Sequence, residues 1–405
     1  MTPGPEGLDP TSPAGDMPGS ETVAPTSPPP GDPAFWDAAV GEPLPKRRFP
    51  LLGKIGIGVA ILLVVAIIAG FVIHVPYSTI SPGEAVSLPP LVSVNGAKSF
   101  SDSRGDIRLL FVRERNDVSV WRYVQAHFDP DVDIIKDKVL NPQGRSQQQL
   151  NGEAQQQMAD AKTAATVVAL SAAGFKVTPA PGLTVSDLEV GLPAEKVLDF
   201  GDVITTVNGE KLTDTQQLQN VIQRSKVGDR VTLGVVRDGK AKTVQIAVGE
   251  KDERKLIGVV LTPRFNFPVR VNVNTASIGG PSAGLAMTLA ILDDLTPGNL
   301  TGGKRVAVTG TIAPDGSVGE IGAINQKAVA ARAAGAQLFI VPACSKTQDT
   351  TAQFEGCQQD LSRAVQRAGS TVKVIPVSTF AQALQALRSA GGDPVVTTTT
   401  APRPT

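Results

Sequence analysis

Two residues in the last third of the chain could do chemistry together: Ser282 in "GGPSAGLAM" and Lys327 in "AINQKAVAARAAG". Ser282 follows Gly279, Gly280 and Pro281 at the head of an apolar segment. Proline is at home in the first helical position, where its missing N–H costs nothing. A hydroxyl there meets the positive end of a helix and free backbone N–H groups, the parts from which an oxyanion hole is made. Taken alone, the stretch equally suits an ordinary helix start, where serine is common. A nucleophilic serine also needs a base. The chain has only two histidines, His74 and His127, and His74 closes an apolar run, so a lysine is the natural candidate. Helical spacing puts Lys327 on the face of Ile324, Ala328 and Ala331. A lysine on such a stripe either snorkels to water or stays buried, and burial lowers its pKa into the range of a usable base.

The elements around these residues must position them. Apolar periodicity predicts strands at "LIGVVL", "PVRVNV", "RVAVTGTI", "QLFIVP" and "TVKVIPV". It predicts helices over Pro281 to Leu292, over "IGAINQKAVAARAAG" and over "TFAQALQALR". Residues 251–390 are therefore expected to form an α/β or α+β domain with its own core. Residues 176–250 change texture to short strands and turns, with hairpin signals at Asn208-Gly209 and Asp238-Gly239. Thr213 and Gln216 are placed to cap a helix between them. Residues 76–175 read as a separate mixed α/β region. In it "DIRLLFV" is a strand and "VSVWRYVQAHF" a helix that takes Trp121, Tyr123 and Phe128 into the core, with His127 a structural histidine. Ser146 and Gln149 form a capping box ahead of a long helix ending near Gly174. The fold class expected is multidomain, α/β and α+β.

The stretch from Ile55 to Ile73 holds nineteen residues without a charge, close to the ~20 that a spanning helix needs. Residues 51–75 are expected to be a single transmembrane helix. Lys46, Arg47, Arg48 and Lys54 precede it, whereas Val75 to Leu91 carries only Glu84. The positive-inside rule then puts the N-terminus in the cytoplasm and the rest outside the cell membrane. Residues 1–50, rich in Pro, Gly, Ser and Thr, and residues 391–405 read as disordered tails. Cys344 and Cys357, thirteen positions apart on the outer side, are expected to form a structural disulfide.

Composition narrows the function classes. Lys plus Arg and Asp plus Glu are both 38, so no basic surface points to nucleic acid. With two histidines, multi-histidine metal sites are not available, and no cofactor is called for. "GNLTGGKR" imitates a nucleotide loop, but Arg305 stands where Ser or Thr would hold magnesium, so it is taken as a turn and ATP is not expected.

Three of these motifs together, "GGPSAG", "VTGTI" and "GSVGEIGAINQKAVAARAAG", resemble the proteolytic domain of the Lon protease family, in its order and with similar separations. The resemblance implies Ser282 as nucleophile and Lys327 as general base. It implies Thr309 as the neighbour that orients the lysine, with Gly280, Pro281 and Ala283 framing the oxyanion site. Two positions depart from that family: Gly279 replaces an acidic residue and Thr311 a glutamate. "GDVITTVNGEKL" resembles the PDZ family's most recognisable segment, which implies binding of an extended protein or peptide chain. With the apolar helix, the chain resembles the bacterial membrane-anchored proteins that join a PDZ domain to a Lon-type domain, sometimes called YlbL-like. That resemblance implies an ATP-independent serine endopeptidase acting outside the membrane, and a homo-oligomer as a possible state. The alternative from another class is a non-catalytic adaptor that binds envelope proteins through the same two domains.

Overall fold

The structure is a computed structural model that describes residues 51–100, 106–275, 279–346 and 350–397, with side chains from residue 55. The tail expected at 1–50, the basic residues Lys46, Arg47 and Arg48, and residues 398–405 of the C-terminal tail lie outside the described residues. Contacts divide the chain into a first unit ending at Val64 and a second running from Val65. The described part of the first unit is helical.

The chain starts with helix α1 (Leu51–Val72). Strands β1 (Tyr77–Ser87) and β2 (Asp106–Arg115), helix α2 (Val120–Phe128), strand β3 (Asp133–Lys136) and the long helix α3 (Gln147–Ala172) follow. A β-rich stretch comes next: β4 (Thr178–Leu188), β5 (Val203–Val207), α4 (Thr215–Arg224), β6 (Arg230–Arg237), β7 (Lys240–Ala247) and β8 (Val259–Asn266). The rest alternates: α5 (Gly284–Leu295), β9 (Arg305–Val308), α6 (Ile324–Ala333), β10 (Leu338–Pro342), α7 (Thr351–Ala368), β11 (Lys373–Val377) and α8 (Phe380–Ser389).

One mixed sheet runs β11-β10-β9-β2-β1-β3. Strands β9, β10 and β11 are parallel, β2 pairs parallel with β9 from Asp106 opposite Arg305 to Leu109 opposite Val308, and β1 is antiparallel to both β2 and β3. All five residues of β10 are buried, as expected for a strand covered on both faces. Successive side chains on β9 and β10 part to opposite cores. Val306, Val308, Leu338 and Ile340 join the core of α3, α5 and α8. Ala307, Phe339 and Val341 join that of α6 and α7. Helix α5 is buried on nearly every side, which fits its lack of a polar stripe.

The second sheet runs β8-β4-β5-β6-β7, antiparallel throughout, with α4 closing its core through Leu218 and Ile222. Both expected hairpin turns are present, with positive φ at Asn208 and Gly209 and at Asp238 and Gly239, the backbone that a two-residue hairpin turn demands.

Several expectations are corrected. Residues 76–175 are not a sheet of their own: β2 completes the sheet of the 251–390 region. The four-residue strand β9 would otherwise leave an open row of N–H and C=O groups at the centre of a core. The β-rich stretch does not end at 250, because "LIGVVL" runs into β8, which pairs with β4. The N-cap of α4 is Asp214, whose carboxylate accepts from Gln217 N–H, one residue along from the expected Thr213. Trp121 and Phe128 are 41% and 79% exposed, and Ala126 is the buried residue of α2. That helix turns its aromatic face away from the sheet, and His127 is exposed beside Phe128. The Ser146–Gln149 capping box is formed as expected.

Arg145, just before α3, ties that helix to the second sheet. Its buried guanidinium pairs with Glu153 of α3 and reaches Asp187 Oδ1 at 2.9 Å and Leu188 O at 2.9 Å on β4. Removing one partner of a buried ion pair strands the other charge, at about 3–5 kcal/mol. Arg145→Ala should therefore lower the unfolding free energy measured by urea titration by that order. A change below about 1 kcal/mol would mean that α3 is held to β4 by other contacts.

Candidate active site

Ser282 sits on a single 3₁₀ turn, Pro281–Ala283, that runs into α5. The residue before that turn, Gly280, takes φ 93°, a conformation that L side chains rarely adopt, so the sharp entry requires glycine there. The turn is laced to its surroundings by backbone. Gly310 N–H donates to Ser282 O at 2.9 Å, Leu285 N–H to Gly310 O at 3.0 Å, and Thr309 N–H to Ile340 O at 3.0 Å. The serine is thereby fixed to the end of β9 and, through it, to β10. Gly284 permits this approach, since a Cβ there would meet Ile312 Cγ2 at 2.8 Å and Ile312 N at 2.9 Å. Glycine costs α5 about 1 kcal/mol in helix propensity, less than the ~1–3 kcal/mol that overpacking against backbone would cost.

Lys327 lies in the first turns of α6 and is buried, with 4% of its surface exposed. Its Nζ is 3.0 Å from Ser282 Oγ and 3.2 Å from Thr309 Oγ1. Thr309 Oγ1 donates in turn to Ser282 O at 3.3 Å. The three residues singled out from sequence meet in one place. Burial of the amine lowers its pKa from 10.5 to about 8, because the charged form loses its hydration. Ala323, just before α6, is held at φ 57°, a left-handed backbone that costs alanine about 1–2 kcal/mol. Strain of this kind persists where surrounding structure over-determines it. Lys327 N–H donates to Ala323 O at 3.1 Å, so the strained residue opens the helix turn that carries the lysine.

The other expected residues divide. Gly280 N–H is already committed to Ala154 O on α3 at 2.9 Å, and Pro281 has no N–H. Of the expected frame, Ala283, with Ser282 itself, keeps N–H groups at the helix start that can face an oxyanion. Gly279 lies where a Cβ would be 2.8 Å from Ala154 Cβ. Any side chain there, including the family's acidic one, would force α3 to move. Cys344, just past β10, and Cys357, in α7, are joined as a disulfide.

A cleft of about 430 Å³ opens beside the serine, walled by Pro281, Ile312, Thr262, Phe265 and Asp160. Burial holds the Asp160 carboxyl above its usual range, opposed by hydrogen bonds donated by Gln156 Nε2 at 3.0 Å and Thr262 Oγ1 at 3.2 Å. No pattern in the sequence marks Asp160, Thr262 or Ala154 as neighbours of the site, since α3 and β8 reach it only through the tertiary fold. A second groove, about 850 Å³, lies between α4 (Leu218, Ile222) and the start of β8 (Val259 to Leu261). "GNLTGGKR" forms a turn in which Lys304 Nζ donates to Ala390 O, and Arg305 opens β9.

A family profile for the PDZ domain matches residues 154–248. The chain is 30% identical over 153 residues to the Lon protease of Magnetococcus marinus, covering 38% of this chain and 17% of that one. It is 35% identical over 74 residues to a probable periplasmic serine endoprotease, DegP-like, of Bartonella henselae, covering 18% of this chain and 15% of that one. It thus spans less than a fifth of the length of these relatives. Among solved structures, the PDZ domain of the SdrC-like protein of Listeria monocytogenes is 28% identical, with 21% of this chain and 90% of that chain covered and a TM-score of 0.20. The chain contains a PDZ domain and is similar, over parts of its length, to Lon and DegP-like serine proteases.

Proposed function

We propose that the protein is a membrane-anchored serine endopeptidase that works without ATP, with Ser282 as nucleophile and Lys327 as general base. The observation that carries this is the 3.0 Å contact between Ser282 Oγ and a buried Lys327 amine whose pKa is brought down to about 8. In its neutral form the amine takes the serine proton as Oγ attacks the scissile carbonyl, then returns it to the leaving amine. A water molecule repeats the exchange to free the acyl group. Thr309 Oγ1, 3.2 Å from Nζ, fixes the amine's direction. The N–H groups of Ser282 and Ala283 receive the oxyanion.

Substrate reaches the site as an extended chain. Among the described residues β8 pairs with β4 alone, and its other edge can accept an added strand beside α4. Helix α1, 22 residues and so about 33 Å long, is the one described helix long and apolar enough to cross a membrane. The basic residues before it favour a cytoplasmic N-terminus and an outward-facing catalytic domain.

Purified full-length protein should cleave unfolded protein substrates, and Ser282→Ala and Lys327→Met should abolish cleavage. Because the base must be neutral, the rate should rise about tenfold per pH unit below pH 8 and level off above it. Cleavage surviving in Ser282→Ala, or a flat profile from about pH 6 to about pH 9, would overturn the assignment.

The same shift has a stability consequence. Between pH 8 and 10.5 the unfolded lysine binds a proton that the folded one has released. Stability linked to Lys327 therefore rises with pH through that window, and the full penalty applies below it. Lys327→Met removes a penalty of about 3 kcal/mol at neutral pH. The inactive variant should melt at higher temperature than the wild type, and a lower melting temperature would contradict an uncompensated buried amine.

A further inference from the structure

We propose that α2 lies in the membrane interface, with Trp121, Val124 and Phe128 sunk between the headgroups and upper acyl chains beside the point where α1 leaves the bilayer. This rests on the reading of α1 as a membrane span. Trp121, Val124 and Phe128 fall at positions i, i+3 and i+7 and so share one face of the helix. They are 41%, 38% and 79% exposed. Tyr123, on the other side, packs on Tyr77 with ring centroids 5.1 Å apart. The outward face is apolar, and among the described residues the protein contact on it is that of α1 with Trp121, which leaves Val124 and Phe128 open.

That face is joined to α1. Trp121 Nε1 donates to Ile67 O at 2.9 Å, and the Trp121 ring lies 6.5 Å from that of Phe71, centroid to centroid. Gly70 makes room for the indole, since a Cβ there would stand 2.4 Å from Nε1. The backbone adds Val120 N–H to Ile73 O at 3.0 Å and Val75 N–H to Val118 O at 2.9 Å. Helix α2 therefore cannot swing away from the end of α1 without breaking these bonds. Ile67 stands five residues before the end of α1, so the indole lies about 8 Å along the axis from that end. For a spanning α1 this depth is that of the outer leaflet's boundary.

Composition points to the same partner. The chain holds two tyrosines and two tryptophans, and both tyrosines and Trp121 gather at this corner. Amphipathic rings concentrate where water meets lipid, because one end is apolar and the other can hydrogen-bond. The partner is a phospholipid surface held by apolar insertion, not a second protein.

The test uses the full chain in phosphatidylcholine nanodiscs with bromine on the upper acyl carbons. In a Trp36→Phe, Trp121→Phe background, Phe128→Trp makes position 128 the sole indole, and Val124→Trp does the same for position 124. Each reporter should lose about half of its emission to the bromolipid and shift to shorter wavelength. Reporters that stay unquenched with water-like emission, in protein that has entered the discs, overturn the interface proposal alone. Protein that fails to enter the discs at all overturns the reading of α1 and this proposal with it.

Discussion

Everything at the candidate site depends on keeping one amine out of water. Lys327 is 96% covered, and a lysine on the same stripe with a little more freedom would turn its Nζ to solvent and regain an ordinary pKa. What holds it is the convergence of three backbones: α6, entered through the strained Ala323, the end of β9 with Thr309, and the turn ahead of α5 with Ser282. The two hydroxyls give the amine polar partners without giving it a counter-charge. A carboxylate in Thr309's place would raise the lysine's pKa and leave it protonated. Hydroxyls satisfy its hydrogen bonds and let desolvation set the pKa.

The sequence disclosed the site more fully than the fold. Residue types and helical spacing pointed to Ser282 and Lys327, because a scarcity of histidine and a lysine on an apolar stripe are both visible in one dimension; Thr309 came only with the resemblance to the Lon family. Local elements were also readable: the Ser146 cap, the Asn208-Gly209 and Asp238-Gly239 turns, the alternation along β6 and β7. Sheet membership was not, since the pairing of Asp106 with Arg305 joins segments almost two hundred residues apart and periodicity is silent on partners. The aromatic residues of α2 were misplaced for a related reason. A helix with an apolar face looks the same in sequence whether that face meets a protein core or a lipid surface.

The corrected strand order changes what α3 is. As part of a separate region it would be a connector, but as the long helix packed along α5 it is a wall of the site. Ala154 accepts the Gly280 N–H and blocks any side chain at 279. The glycine that departs from the family pattern is therefore what its neighbour allows. The same helix carries Asp160 into the cleft and, through Arg145 at its start, grips β4. One element thus links the serine's entry turn to the PDZ sheet.

Strand β8 completes that link from the other side. Val259, Val260 and Leu261 line the groove beside α4, and Thr262, Pro263, Arg264 and Phe265 line the cleft beside Pro281. Pro263 is tolerated because β8 is an edge strand. From Val260 to Phe265 the strand covers about 17 Å, the reach of an extended peptide of five residues. A PDZ domain on a flexible linker would raise only the local concentration of substrate, with loss of register at each encounter. Here groove and cleft share a strand that is itself hydrogen-bonded to β4, so a chain held in one has a fixed distance to the other. On the proposed reading of Ser282 as nucleophile, such a fixed distance would let binding energy in the groove be used to orient a peptide bond there.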